Sequence, residues 1–169
     1  FHHVIDIVPT ILEAANVRQP DIVDGIKQSP IEGVSLAYTF DAKNANAPTT
    51  HKTQYFEMMA DRAIYHDGWI ASTKVMRAPW DHFPPKVGVM DYPWELYDTR
   101  KDWTQFEDVA AKNPAKLKEM QALFWKEADK YQVKPLDASL VGRLLTERPS
   151  LSAGRTHFDW TRPITGIPN

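Results

Sequence analysis

Apolar and polar positions alternate most regularly over residues 54–71, QYFEMMADRAIYHDGWIA. Tyr55, Phe56 and Met58 interleave with Gln54 and Glu57, Asp61-Arg62 interrupts, and Ile64, Tyr65, Trp69 and Ile70 resume around a second break at Asp67-Gly68. Aromatic and β-branched side chains suit a pleated, half-buried surface, and Asp-Gly supplies the positive φ angles of a two-residue hairpin. The pattern predicts a strand, a turn at Asp61-Arg62, a second strand, an Asp-Gly turn and a third strand running to about Met76, which together make an antiparallel meander. Residues 94–97, WELY, read as a fourth strand ended by Asp98-Thr99-Arg100.

The period changes further along. Leu117, Met120, Phe124, Ala128 and Tyr131 recur at spacings of 3, 4, 4 and 3, one apolar stripe of a helix. Asn113 serves as its N-cap and Pro114 as its first helical residue. The predicted class is α+β, a four-stranded antiparallel sheet with this long amphipathic helix across one face. Ahead of the sheet, residues 4–16 read as a short helix from Asp6 to Ala15, with Asp6 as cap, Pro9 in the first turn and Asn16 as the stop. Apolar residues occupy most of its circumference, so burial on more than one side is expected.

The other segments are punctuated. Pro20, Gly25, Pro30 and Gly33 mark residues 17–33 as irregular loop, and Ser35 is placed to cap one helical turn through Phe40. Residues 41–50, small and polar, read as an exposed linker. Pro79, Pro84, Pro85 and Pro93 make residues 77–93 a long loop. From residue 132 onward prolines recur, with a helical turn or two expected at Ala138 to Leu145 in a tail that wraps over a surface. The expected organisation is therefore residues 1–50, residues 51–134 holding sheet and helix, and an extended tail over residues 135–169.

Composition narrows the chemistry. At 169 residues the chain is long enough for a real core, and 20 basic against 22 acidic residues leave a formal charge of -2. That balance does not point to nucleic acid or an anionic membrane as partner. The absence of cysteine excludes disulfides, thiolate catalysis and cysteine-ligated zinc. No run of about 18 apolar residues is present to form a transmembrane helix, and the compartment, cytoplasmic or periplasmic, is left open. The chain opens inside an apolar segment and closes on prolines, so we expect a piece of a longer protein.

Several side chains invite a functional reading, and each has a plainer one beside it. His2 and His3 with Asp6 offer two imidazoles and a carboxylate to a metal, yet adjacent histidines point apart and Asp6 suits a cap. His66-Asp67 sits at a hairpin turn, where Asp67 does turn chemistry. Glu57 and Glu95 lie on predicted strands, where paired carboxylates run acid-base chemistry if they converge. Trp69, Trp80, Trp94, Trp103 and Trp125, with Tyr55, Phe56, Tyr65 and Tyr97, suit either ring stacking on a carbohydrate or core packing, and alternation favours the core. Ser139, Ser150 and Ser152 lack the Gly-x-Ser-x-Gly setting of a serine hydrolase. No phosphate-binding or dinucleotide glycine loop occurs.

Four blocks taken together resemble the C-terminal part of bacterial arylsulfatases: HVIDIVPTILEAANV (residues 3–17), VDGIKQSPIEGVSLAYTF (23–40), QYFEMMADRAIYHDGWIA (54–71) and WELYDTRKDWTQFEDVA (94–110). The resemblance covers residues 3–132 and, more weakly, the tail. It implies a large alkaline-phosphatase-like α/β domain upstream, of which residues 6–15 would be the last helix, followed by a smaller four-stranded antiparallel sheet crossed by a long helix. It implies hydrolysis of sulfate esters by a formylglycine made from Cys or Ser in Cys/Ser-x-Pro-x-Arg, beside a calcium ion held by carboxylates. This chain has no cysteine and no Ser-x-Pro-x-Arg, so no catalytic, cofactor-binding or metal-binding position carries over. The expected partner is the missing N-terminal sulfatase domain, and the piece alone is expected to be inactive. Two alternatives from other classes are an interaction or assembly module, self-associating through exposed apolar surface, and a carbohydrate-binding module using Trp80.

Overall fold

The computed structural model describes residues 1–74, 76, 78, 80, 83, 86–139, 144–145 and 147, and within them the chain falls into two units, residues 1–51 with Glu147 and residues 52–146. In the first unit a 3-10 turn, Val4–Asp6, leads into helix α1, Ile7–Ala14. Asn16 ends it in the left-handed region at φ 52°, which Asn tolerates well, so the expected stop holds. Burial departs from expectation. Asp6 and Thr10 are the side chains shut from water, whereas Val4, Ile7, Val8 and Ile11 are 68%, 50%, 53% and 60% exposed.

Residues 17–33, expected as loop, hold a two-residue hairpin: β1, Ile22–Val23, pairs antiparallel with β2, Ile26–Lys27. Asp24 and Gly25, at φ 51° and 79°, make its turn, the same Asp-Gly chemistry that was read at Asp67-Gly68 and passed over here. Gly33 is required by close approach, because a Cβ there would lie 2.1 Å from the Ile5 carbonyl oxygen. The helical turn expected through Phe40 is a single 3-10 turn, Ala37–Phe40, whose N-cap is Leu36 and not Ser35; the Ser35 hydroxyl, one residue earlier, accepts from the Ala37 N–H at 3.1 Å. Asp41 caps another, Ala42–Asn44, inside the segment expected to be an exposed linker.

The second unit carries the α+β fold. Strands β3, Thr53–Met58, β4, Asp61–His66, β5, Trp69–Thr73, and β6, Trp94–Asp98, pair antiparallel in the order β3-β4-β5-β6. The first turn is at Met59-Ala60, φ 55° and 70°, and not at Asp61-Arg62, whose residues pair with Met58 and Glu57 inside the ladder. The polar pair had been read as the break; non-glycine residues in the left-handed region make it instead. The Asp67-Gly68 turn stands as expected at φ 44° and 86°, and β5 ends at Thr73, short of Met76.

Register puts Tyr55, Ile64, Ala71 and Leu96 in one row across the sheet. Helix α2, Pro114–Lys130, lays Met120, Phe124 and Ala128 on that face, and these with Ile64, Ala71 and Leu96 are fully buried. Leu117 and Tyr55 pack at the margin. Asn113 does not cap α2 through its side chain; its Nδ2 donates to the Val109 carbonyl at 3.0 Å, while Pro114 begins the helix as predicted. A smaller cluster joins Ala60, Tyr92 and Ala138, with Met76, Val89 and Leu136 against it. Residues 140–143 of the helical turn expected at Ala138 to Leu145, and residues 77, 79, 81–82 and 84–85 of the 77–93 loop, lie outside the described residues. No helix among the described residues is long and apolar enough to cross a membrane.

Candidate functional site

On the α2 face of the sheet, the alternation that places Tyr55 and Ile64 inward also turns Arg62 inward. Arg62 is only 3% exposed, and its Cζ lies 5.6, 5.4 and 5.4 Å from the ring centroids of Tyr92, Trp94 and Trp125. Each strand or helix supplies one wall: β6 gives Trp94, the chain before it Tyr92, and α2 gives Trp125. The rings face the cation with their negative quadrupole, a contact worth about 2 kcal/mol when water is excluded. They accept nothing in the plane of the guanidinium. Nε, Nη1 and Nη2 are buried without a hydrogen-bond partner, as is the hydroxyl of Tyr55 one row away. A buried donor left unpaired costs roughly 1–3 kcal/mol, and more when charged.

A cleft of about 610 Å³ along the sheet is lined by Tyr55, Phe56, Glu57, Met58, Asp61, Arg62, Ala63, Ser72 and Thr73, of which Phe56, Met58, Asp61, Ala63 and Ser72 belong by register to the face opposite the one carrying the Arg62 and Tyr55 side chains. Burial pushes the Tyr55 phenol up to about 12, helped by the Glu57 charge, so it stays a neutral donor. Burial likewise draws the Arg62 guanidinium below its ordinary value, against the opposing pull of Tyr92, Asp61 and Glu57. Thr73 Oγ1 accepts from the Arg62 N–H at 3.1 Å and fixes the backbone there. The Glu57 carboxylate accepts from Ala60 N–H at 2.8 Å across the tight turn.

The first unit has a buried polar cluster of its own. The Asp6 carboxylate, 0% exposed, accepts from the N–H of His3 and of Val34, each at 2.9 Å, and lies 2.7 Å from Nδ1 of His51. It makes no N-cap bond to α1, contrary to expectation, but its contact with the His3 N–H is the reaching-back half of a capping box on the Val4–Asp6 turn. Thr10 extends the cluster, donating to the Asp6 carbonyl at 2.6 Å and accepting from Leu36 N–H at 2.8 Å. His2 Nδ1 stands 3.7 Å from Asp6, and its Nε2 meets the Tyr38 hydroxyl at 3.1 Å.

The remaining candidates separate. Among the described residues no three His, Cys, Asp or Glu side chains are grouped to hold a metal. Glu57 and Glu95 sit on the two outermost strands and on opposite faces, so they do not converge. His66 Nδ1 meets the Thr53 hydroxyl at 2.8 Å and Asp67 pairs with Lys52 at 3.1 Å, with no shared proton. Tyr55, Trp69, Trp94 and Trp125 pack about the core and Tyr65 and Tyr97 are buried, but Trp80 and Trp103 are 79% and 81% exposed. Ser139 Oγ donates to Asp137 at 2.9 Å; Ser150 and Ser152 lie outside the described residues.

Sequence reasoning passed over Arg62 and His51. The first carried a signal: a charge two residues from Ile64 on an alternating strand must share its inward face. His51 carried none, being 45 residues from the carboxylate it meets.

No family model matches the chain, and no curated protein gives a significant match. Solved structures that it resembles include Ps i-CgsB, 18% identical over 82% of this chain and 27% of that chain, with a TM-score of 0.48. Another is BT4656 in complex with its substrate D-glucosamine-2-N,6-O-disulfate, 22% identical over 78% of this chain and 25% of that chain, with a TM-score of 0.45. The chain thus spans about a quarter of the length of these structures. Likeness at this level assigns this chain no activity, substrate or partner.

Proposed function

We propose that this chain is the C-terminal part of a sulfatase of the arylsulfatase type, and that the sulfate-ester chemistry belongs to a domain upstream of it. The observation that carries this reading is the second unit itself, a four-stranded antiparallel meander crossed by a 17-residue helix, in the place and order that the four matching sequence blocks imply. In the parent, a formylglycine would supply the nucleophile and calcium would neutralise the sulfate. Neither would be held by the described residues. The exposed Val4, Ile7, Val8 and Ile11 along α1 and the turn before it suit a helix that packs against that upstream domain.

The test is to express the chain with the coding region preceding Phe1 and assay 4-nitrophenyl sulfate with and without calcium. Calcium-dependent turnover by the longer protein and none by the 169 residues alone is the expected result. Turnover by the short chain, or an upstream region without Cys/Ser-x-Pro-x-Arg, would overturn the proposal.

A second reading, an assembly module without catalysis, is favoured by a different observation. Trp103 and Phe106, 81% and 92% exposed, project from a turn whose shape is set by the Asp102 carboxylate. Concentration-dependent association in light scattering, weakened by Trp103→Ser, would support it. A strictly monomeric chain would remove it.

A further inference from the structure

We infer that Asp24-Gly25 is a site of spontaneous covalent modification, where the chain isomerises through a succinimide to isoaspartate, while the identical dipeptide Asp67-Gly68 is shielded by its fold. This does not depend on the sulfatase reading, since it needs neither a ligand nor an upstream domain.

Both dipeptides turn a hairpin with nearly the same backbone, φ 51° and 79° in one and 44° and 86° in the other. Glycine makes such a pair labile, because no side chain keeps its nitrogen from the Cγ of the preceding carboxyl. At Asp24 the bond from Gly25 N to Cγ forms as a Cγ–O bond breaks. The carboxyl oxygen departs as water, taking the acid proton and the Gly25 amide proton. Water then opens the five-membered ring. Where it adds to the Asp24 backbone carbonyl carbon, Gly25 stays joined through Cγ, the main chain gains a methylene carbon, and the α-carboxylate becomes the side group. Water is the one co-reactant, and the sum of the two steps is an isomerisation.

Ring closure swings the glycine nitrogen toward the carboxyl, so the ladder around the turn must loosen first. Around Asp24-Gly25 there is little to loosen. Strands β1 and β2 are two residues each and pair with each other alone among the described residues. Asp24 and Gly25 are exposed, and a Cβ added at Gly25 would meet nothing within 4 Å. A hairpin this short opens at little cost. Asp67-Gly68 instead joins β4 to β5 inside the four-stranded sheet, and Gly68 is buried. A Cβ there would lie 2.7 Å from the Arg100 Cδ. The Gly68 carbonyl accepts from the Thr99 N–H at 2.8 Å and from its hydroxyl at 2.7 Å, and the Asp67 N–H donates to the Lys52 carbonyl at 3.0 Å. The Lys52 ammonium, 3.1 Å from the Asp67 carboxylate, also holds that acid below its usual range. An ionised carboxylate is the poorer electrophile, since it has no hydroxyl to lose as water.

The experiment ages the 169-residue chain in mildly acidic buffer, with and without urea, and follows its tryptic peptides by chromatography and mass spectrometry. Residues 19–27 carry Asp24-Gly25 and residues 63–74 carry Asp67-Gly68, each as a separate peptide bounded by Arg and Lys. Isoaspartate appears as a product of unchanged mass and shifted elution that resists an endoproteinase cutting before aspartate. In the native chain it should build up in 19–27 and be at least about tenfold scarcer in 63–74, the factor that one net hydrogen bond supplies. In urea the two peptides should isomerise at similar rates. Asp24→Glu, whose ring would need six members, should abolish the product in 19–27 and exclude Asp21 as its source. No product at Asp24, equal amounts in the two native peptides, the same disparity in urea, or a product that survives Asp24→Glu would each overturn the inference.

Discussion

His51 brings its Nδ1 to 2.7 Å from the Asp6 carboxylate, and both side chains are almost wholly out of water, at 4% and 0% exposure. The pair links the last residue before Lys52 in the first unit to the residue just before α1, across 45 positions of sequence. With the His3 and Val34 N–H groups it gives the carboxylate acceptor duties on several sides, which is what a buried charge needs in order to be tolerated.

Asp6→Ala should therefore be costly. It leaves two backbone donors and an imidazole facing an apolar methyl group, and breaking a buried pair from one side costs about 3–5 kcal/mol. Hydrogen exchange at the Val34 amide is the direct reading: strongly protected in the parent chain, and close to the unprotected rate in the variant. The sheet amides of the second unit should be unaffected, because that unit has its own core.

The same carboxylate sets a pH dependence. Burial pushes the Asp6 carboxyl up, but hydrogen bonds from His3 and Val34 N–H and from the His51 ring outweigh it, so it titrates below its ordinary 3.8. A carboxyl with a depressed folded pKa contributes stability that is present above the unfolded value and lost as pH falls through the folded one. Protection of Val34 should accordingly hold down to about 3.8 and drop below it. Asp6→Asn keeps the volume and cannot titrate, so its protection, lower at every pH, should lose this acid step. The other groups that face Asp6 are His2, itself lowered by burial and by the N-terminal ammonium, and His51.

How far the sequence foretold this depends on whether a signal was local. The α2 stripe of Met120, Phe124 and Ala128 and the Asp67-Gly68 turn were legible because period and turn chemistry act over a few residues. Asp24-Gly25 carried the same signal and was masked by flanking prolines and short strands. Met59-Ala60 was invisible, since neither residue is a usual left-handed one and the polar Asp61-Arg62 beside it looked like the break. The Asp6 carboxylate was misread because a cap is a local explanation and His51 a distant one. Arg62 was overlooked because a charge on a strand is normally solvated; its place two residues from the buried Ile64 is what turns it to the α2 face.

Phe124 tests the core. Its ring stacks on Tyr55 at 5.0 Å and meets Trp94 and Trp125 edge-on at 5.6 and 5.1 Å, and it is fully buried. Phe124→Ala should destabilise the second unit by about 3–5 kcal/mol through lost burial and an unfilled cavity. Urea unfolding followed by tryptophan fluorescence reads it, with Phe124→Leu expected to lose distinctly less.

The Asp102 turn separates local shape from global stability. Its carboxylate accepts from the N–H of Thr104, Phe106 and Glu107 at 3.2, 2.7 and 2.8 Å and from the Thr104 hydroxyl at 2.7 Å. These bonds hold the acid below its usual range, the Glu107 N–H foremost, and they hold Gln105 at φ 55°. In Asp102→Ala, water replaces the lost acceptor because the turn is exposed, so the urea midpoint should stay where it is. Amide exchange at Phe106 and Glu107 should rise by an order of magnitude or more, since a single net hydrogen bond to a charged group is worth roughly that factor. Should the midpoint fall along with that protection, the turn would be part of the cooperative fold of the second unit and not a separately shaped support for Trp103 and Phe106.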